Sequence, residues 1–160
     1  MKSIIKNLKT VFILFTIICI TFYLSKNWIQ FALIQGDSML PNYHNLQLVL
    51  VDKHTTSFNY HDVILFRNDT LHTTMIKRIL ALPGDTIQIK DGIVYVNGQK
   101  SPFISENTIL SYAGIASTPL QLAADEYFVL GDNYEQSKDS RYPEIGCVKK
   151  DMILGKLFFN

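Results

Sequence analysis

A serine hydroxyl is inert at neutral pH until a base removes its proton. A lysine held among aliphatic side chains can be that base, because burial disfavours its charged form and lowers its pKa. The chain offers both: Ser38 in Gly36-Asp37-Ser38-Met39-Leu40-Pro41, and Lys77 in Ile76-Lys77-Arg78-Ile79. Each is weak alone. A serine ahead of a proline reads first as a turn residue, and a lysine in an apolar stretch as one that snorkels its head to water. Two further stretches accompany them, Leu82-Pro83-Gly84-Asp85 and the loop from Gly131 to Arg141. That loop supplies Ser137, Asp139 and Arg141, which are a hydroxyl, a carboxylate and a guanidinium. On the plain reading Asp139 and Arg141 form a surface pair worth well under about 1 kcal/mol. On the functional reading they brace the loop while Ser137 hydrogen-bonds the lysine amine.

Positioning these groups requires particular elements. If Met75 to Leu80 is a strand, alternation puts Met75, Lys77 and Ile79 on one face and Ile76, Arg78 and Leu80 on the other. The ammonium then lies on an apolar face, where charge is costly. Arg78, always charged, seeks a carboxylate or solvent. Pro41 restricts Leu40 to extended geometry, and the turn holds Ser38 at the end of an apolar strand over residues 31–35. Further strands are read at Gln47–Asp52, Val63–Phe66, Thr86–Lys90, Ile93–Val96, Tyr127–Leu130 and Met152–Phe159. Asp91-Gly92 supplies the two positive-φ positions of a type I′ hairpin turn, and Asn97-Gly98 marks a second tight turn. The polar segment from Ser101 to Leu122, with Pro102, Gly114 and Pro119, reads as a long connection with room for a short strand.

The first 27 residues differ from the rest. Lys2, Lys6 and Lys9 precede an apolar run from Val11 to Leu24, and no acidic residue occurs before Asp37. Counted from Ile4, with Lys6 and Lys9 snorkelling, the run reaches the roughly 20 residues of a membrane span. Lysines ahead of it keep the N-terminus cytoplasmic. A cleaved leader is the alternative, but Phe22 to Asn27 offers no small-x-small cleavage site. Trp28 and Phe31 suit either an interfacial belt or the start of the core. The expectation is a mostly β protein: an N-terminal transmembrane helix over 1–27, then an all-β catalytic domain of coiled short strands over 28–160.

The chain has 160 residues and net charge +1, which gives no reason to expect nucleic acid. The histidines are scattered, and no His/Cys cluster has metal-ligand spacing, so no metal or cofactor is expected. Cys19 and Cys147 lie in different regions, and a bridge between them is implausible.

Taken in this order, Gly36 to Pro41, Tyr60 to Phe66, Ile76 to Asp85 and Gly131 to Arg141 resemble type I signal peptidase, in its small Gram-positive form. The resemblance implies a membrane-bound serine endopeptidase that removes signal peptides from exported preproteins after small-x-small sites. It implies Ser38 as nucleophile, Lys77 as general base, Ser137 as the hydroxyl positioning the lysine, and Asp139 with Arg141 as braces. It also implies an exposed apolar surface resting on the lipid bilayer, outside the cell membrane's cytoplasmic face. The substrate is expected to add as a strand beside Ile34-Gln35-Gly36 and Met75-Ile76, with Ile34, Met39, Met75 and Ile76 bounding small pockets. Three departures stand out: Asn42 replaces a frequent threonine, Tyr134 replaces an arginine, and Gly36 stands where Gram-negative relatives carry an oxyanion-binding serine.

Three other readings compete. A self-cleaving repressor-type protease shares Ser/Lys chemistry, with Ala113-Gly114 as a cleavage dipeptide, but needs an N-terminal DNA-binding domain. A non-catalytic assembly factor would lack the serine or the lysine. A tethered β domain that binds peptides would leave Ser38 unreactive.

Overall fold

The computed structural model describes residues 2–105 and 107–158, and of residues 2–8 and 24–27 the backbone alone. Helix α1 (Lys2–Trp28) runs directly into strand β1 (Ile29–Leu33). From Val11 to Tyr23 its large apolar side chains are exposed around the whole circumference. Among the described residues, no helix is long and apolar enough to cross a membrane. The snorkelling expected of Lys6 lies outside the described side chains, whereas Lys9 is exposed.

Ten more strands follow: β2 (Leu48–Asp52), β3 (Val63–Asn68), β4 (Thr73–Ala81), β5 (Thr86–Lys90), β6 (Ile93–Val96), β7 (Gln99–Lys100), β8 (Leu120–Gln121), β9 (Glu126–Leu130), β10 (Val148–Lys149) and β11 (Ile153–Leu157). They form a seven-stranded sheet in the order β1-β2-β11-β3-β4-β9-β10 and a four-stranded sheet in the order β7-β6-β5-β8. The last strand ends at Leu157, and Phe159 lies outside the described residues. The two-residue strand β10 carries no run long enough to announce itself in sequence.

β3 and β9 are continuous apolar runs because both of their faces are covered. Val63 and Leu65 join Met39, Val51 and Leu157 on one side, while Ile64 and Phe66 join Ile79 and Val129 on the other. Phe128 and Leu130 of β9 face a third cluster with Leu80, Ile87 and Val94, which joins the two sheets. Asp85 ties the joint polar-side up: its carboxylate accepts from Tyr60 Oη at 2.8 Å, Leu82 N–H at 2.7 Å and Asn97 Nδ2 at 2.7 Å. Asp91 and Gly92, then Asn97 and Gly98, all have positive φ, so both tight turns have the mirror-image geometry their sequences demand.

Phe31 does not start the core. It points outward, 65% exposed, with Ile29 and Leu33 beside it and Leu48 across the β1–β2 ladder. Trp28 is also exposed and stacks on His54.

Candidate active site

The turn bearing Ser38 leaves the end of β1 and returns to β2. Ile34 N–H donates to Gln47 O and Leu46 N–H to Ile34 O, so the ladder is held right up to the turn. Within it, Leu40 N–H donates to Asp37 O at 3.2 Å and Tyr43 N–H to Met39 O at 2.9 Å. Met39 is buried with Ile34 and Tyr43 and pins the turn to the core. The Leu40–Pro41 peptide is cis.

A second loop grips this turn from β9. Asn133 N–H donates to Ser38 O at 3.0 Å, and its side-chain amide donates to Asp37 O at 3.1 Å. Asn42 Nδ2 donates to Asp132 Oδ2 at 2.8 Å. Arg78 meets the same carboxylate through two bonds, at 2.8 and 2.7 Å, and donates to His61 O at 2.9 Å. Arg78 therefore finds a carboxylate, and the departure at Asn42 is a link across the site. Because Arg78 follows Lys77 directly, the clasp fixes the serine turn and the lysine strand relative to one another. Sequence reading gave Asn42, Asp132 and Asn133 no such role; no local pattern pairs positions 54 or 90 residues apart.

Lys77 is 3% exposed and its Nζ donates to Ser38 Oγ at 2.6 Å. Its strand neighbours Met75 and Ile79 share one cluster with Ile64, the cross-strand partner of Lys77, as alternation requires. Burial lowers the lysine pKa from 10.5 to about 8, against the opposing fields of Asp139 and Asp132. An amine neutral in a large fraction of molecules near pH 8, bonded to a hydroxyl, can remove that hydroxyl's proton.

Asp139 and Arg141 are no surface pair. Both are fully buried and joined by two bonds, Nε to Oδ1 at 2.8 Å and Nη2 to Oδ2 at 3.0 Å. Asp139 also accepts from Gly131 N–H, while Arg141 donates to the carbonyls of Tyr134, Ser137 and Tyr112. One ion pair thus organises the loop from Gly131 to Arg141. Ser137 is buried in that loop, and its hydroxyl has no hydrogen-bond partner among the described residues. The bond expected from it to the Lys77 amine is not formed; that amine donates to Ser38. Gly131 is required by close approach: a Cβ there would collide with Ser137 Oγ and the Ser38 carbonyl.

Gly36 has φ +86, and its N–H is already held by Asn45 Oδ1 at 2.9 Å. Among the described residues, the Ser38 N–H makes no hydrogen bond.

A cleft of about 420 Å³ lies against Ser38 and Lys77. All four expected pocket residues, Ile34, Met39, Met75 and Ile76, line it. Its sides are two strand edges. β1 is the last strand of its sheet, and β4 pairs with β9 only from Arg78 to Ala81, leaving the edge at residues 73–77 open on that side among the described residues.

This geometry has relatives. The family model described as "Signal peptidase, peptidase S26" matches residues 7–160. Signal peptidase I of Bacillus licheniformis is 35% identical over 133 residues, covering 77% of this chain and 71% of the relative. Signal peptidase I S of Bacillus subtilis is 33% identical over 133 residues, covering 76% and 71%. The crystal structure of a signal peptidase I from Enterococcus faecalis V583 superposes with a TM-score of 0.51 at 28% identity, covering 63% of this chain and 97% of that one. A match along nearly the whole length, in sequence and in the β domain that carries Ser38 and Lys77, makes this chain a member of the signal peptidase family, peptidase S26, and a serine peptidase.

Proposed function

We propose that the chain is a membrane-anchored endopeptidase that removes signal peptides from exported preproteins, with Ser38 as nucleophile and Lys77 as general base. The observation that carries this reading is the 2.6 Å bond between a buried lysine amine and the serine hydroxyl. Neutral Lys77 takes the Ser38 proton as Oγ attacks the scissile carbonyl. The tetrahedral intermediate collapses as the lysine proton passes to the departing amine, leaving an ester on Ser38. Lys77 then deprotonates a water, which hydrolyses the ester. The Ser38 N–H is a donor for the oxyanion; the Gly36 N–H becomes a second only by leaving Asn45. Ser137, with an unused acceptor beside Gly131, is a partner for the lysine when it carries the extra proton. Asp139 and Arg141 hold that hydroxyl in place.

The segment before the scissile bond adds as a strand between the open edges of β1 and β4. Ile34, Met39, Met75 and Ile76 then leave room for small side chains, which fits a small-x-small preference. The anchor is α1. Its described stretch from Val11 to Tyr23 exposes large apolar side chains around the circumference, the pattern of a helix that is covered by an apolar medium, and lysines precede that stretch. The catalytic domain then lies outside the membrane, with Phe31, Leu33 and Leu48 toward the bilayer.

The test is turnover of a signal-peptide substrate by the full chain in detergent micelles. Ser38→Ala and Lys77→Ala are each expected to lose at least about 100-fold in kcat, the usual minimum for removing a general base. Full activity in either variant ends the assignment.

A further inference from the structure

The Ser38 turn borders a second hollow. Ser38 and Met39 line the cleft between β1 and β4, and the next two residues, Leu40 and Pro41, line a separate groove of about 500 Å³. Its far walls are Ile109 and the segment Asn133-Tyr134-Glu135. Both walls are fixed. Leu110 N–H donates to Gly92 O at 2.9 Å, and a Cβ on Gly92 would strike Ile109, so the tight β5–β6 turn seats Ile109. Glu135 accepts from Ser111 Oγ at 2.8 Å, which stitches one wall to the other. Asp132, also at the groove, is neutralised by Arg78, so Glu135 is the unmatched charge among the described lining residues.

In the direction of the chain, Leu40 follows Ser38 and Met39, so this groove borders the turn next to the cleft. We infer that this groove binds the first residues after the scissile bond, and that Glu135 selects a basic side chain there over an acidic one. Leu40, Pro41, Ile109 and Tyr134 supply an apolar floor for the stem of a lysine or arginine, whose charge can reach the exposed carboxylate. This inference rests on the proposed peptidase function and adds a specificity determinant to it.

The experiment compares two peptides cut by the full chain in micelles, identical but for Lys or Glu at the third residue after the scissile bond. A third peptide ends one residue past that bond and lacks the position that would meet Glu135. An exposed carboxylate changes such a preference modestly, so the wild-type Lys:Glu ratio of kcat/KM is expected to be about threefold. Glu135→Gln should bring the ratio to about one, and Glu135→Lys should invert it. Because Glu135 also bonds Ser111, a second pair keeps the test sound: on exposed Ile109, Ile109→Glu should raise the ratio and Ile109→Lys lower it. Cleavage of the short peptide with a ratio near one in every variant overturns the groove assignment alone. Failure to cleave any of the three peptides overturns it together with the peptidase reading.

Discussion

As the proposed base, the amine of Lys77 can act only while it is uncharged, and its surroundings decide the pH at which that holds. Burial favours the neutral form, Asp139 and Asp132 favour the charged one, and the balance lies at about 8 rather than 10.5. Because the proposed mechanism needs the neutral form, kcat/KM should rise with pH and level off above about 8. At pH 6, two decades below, it should be about 100-fold under the plateau. A limb centred near 10.5 would place the amine in water, and a flat profile would point to another base. The Ser137→Ala variant sharpens the test. Without an acceptor for the protonated amine, the charged form loses support and the limb should move to lower pH. An unmoved limb confines Ser137 to packing.

Between strands, the loop from Gly131 to Arg141 carries the alignment, and its stability depends on one buried ion pair. Removing one member of such a pair strands the other charge, at a cost of about 3–5 kcal/mol. Asp139→Ala, which leaves Arg141 unpaired beside three carbonyls and frees Gly131 N–H, should lower the urea midpoint accordingly. A change under about 1 kcal/mol would show the loop is held by its backbone instead. The same loop marks the limit of what could be read beforehand. The hairpin turns at Asp91-Gly92 and Asn97-Gly98 were legible because neighbouring residues determine their φ angles. Lys77 was legible because strand alternation fixes its face. The Asp132–Arg78 and Asn42–Asp132 links were not, since they exist only once distant strands have paired. Nor was the unpartnered hydroxyl of Ser137, since bonds between side chains of distant segments are decided only where those segments meet. The stretch from Ser101 to Leu122 reads as a connection; among its described residues the regular parts are a 3-10 turn at Gly114–Ala116 and β8, each of two or three residues. Gly114 is held to its position by Arg141, whose carbonyl a Cβ would meet.

Across the molecule, the longest run of exposed apolar residues is formed by α1 and the strand that follows it. α1 ends at Trp28 and β1 begins at Ile29, so the exposed helix passes without a linker into the outward face formed by Ile29, Phe31, Leu33 and Leu48. In water this face costs free energy, and an exposed patch of this kind marks a contact surface. If the helix spans a bilayer, the strand leaving it lays this face on the interface and brings the open β1 and β4 edges to the level where a membrane-held substrate emerges. Phe31→Asp and Leu48→Asp remove apolar surface there at positions that do not themselves line the cleft. Each should therefore slow cleavage of a precursor inserted in vesicles, by about tenfold if half of the side chain is immersed. A short soluble peptide should be cut at the wild-type rate. If both substrates slow equally, the face supports the fold rather than the bilayer contact; if neither slows, α1 alone sets the position of the active site above the membrane.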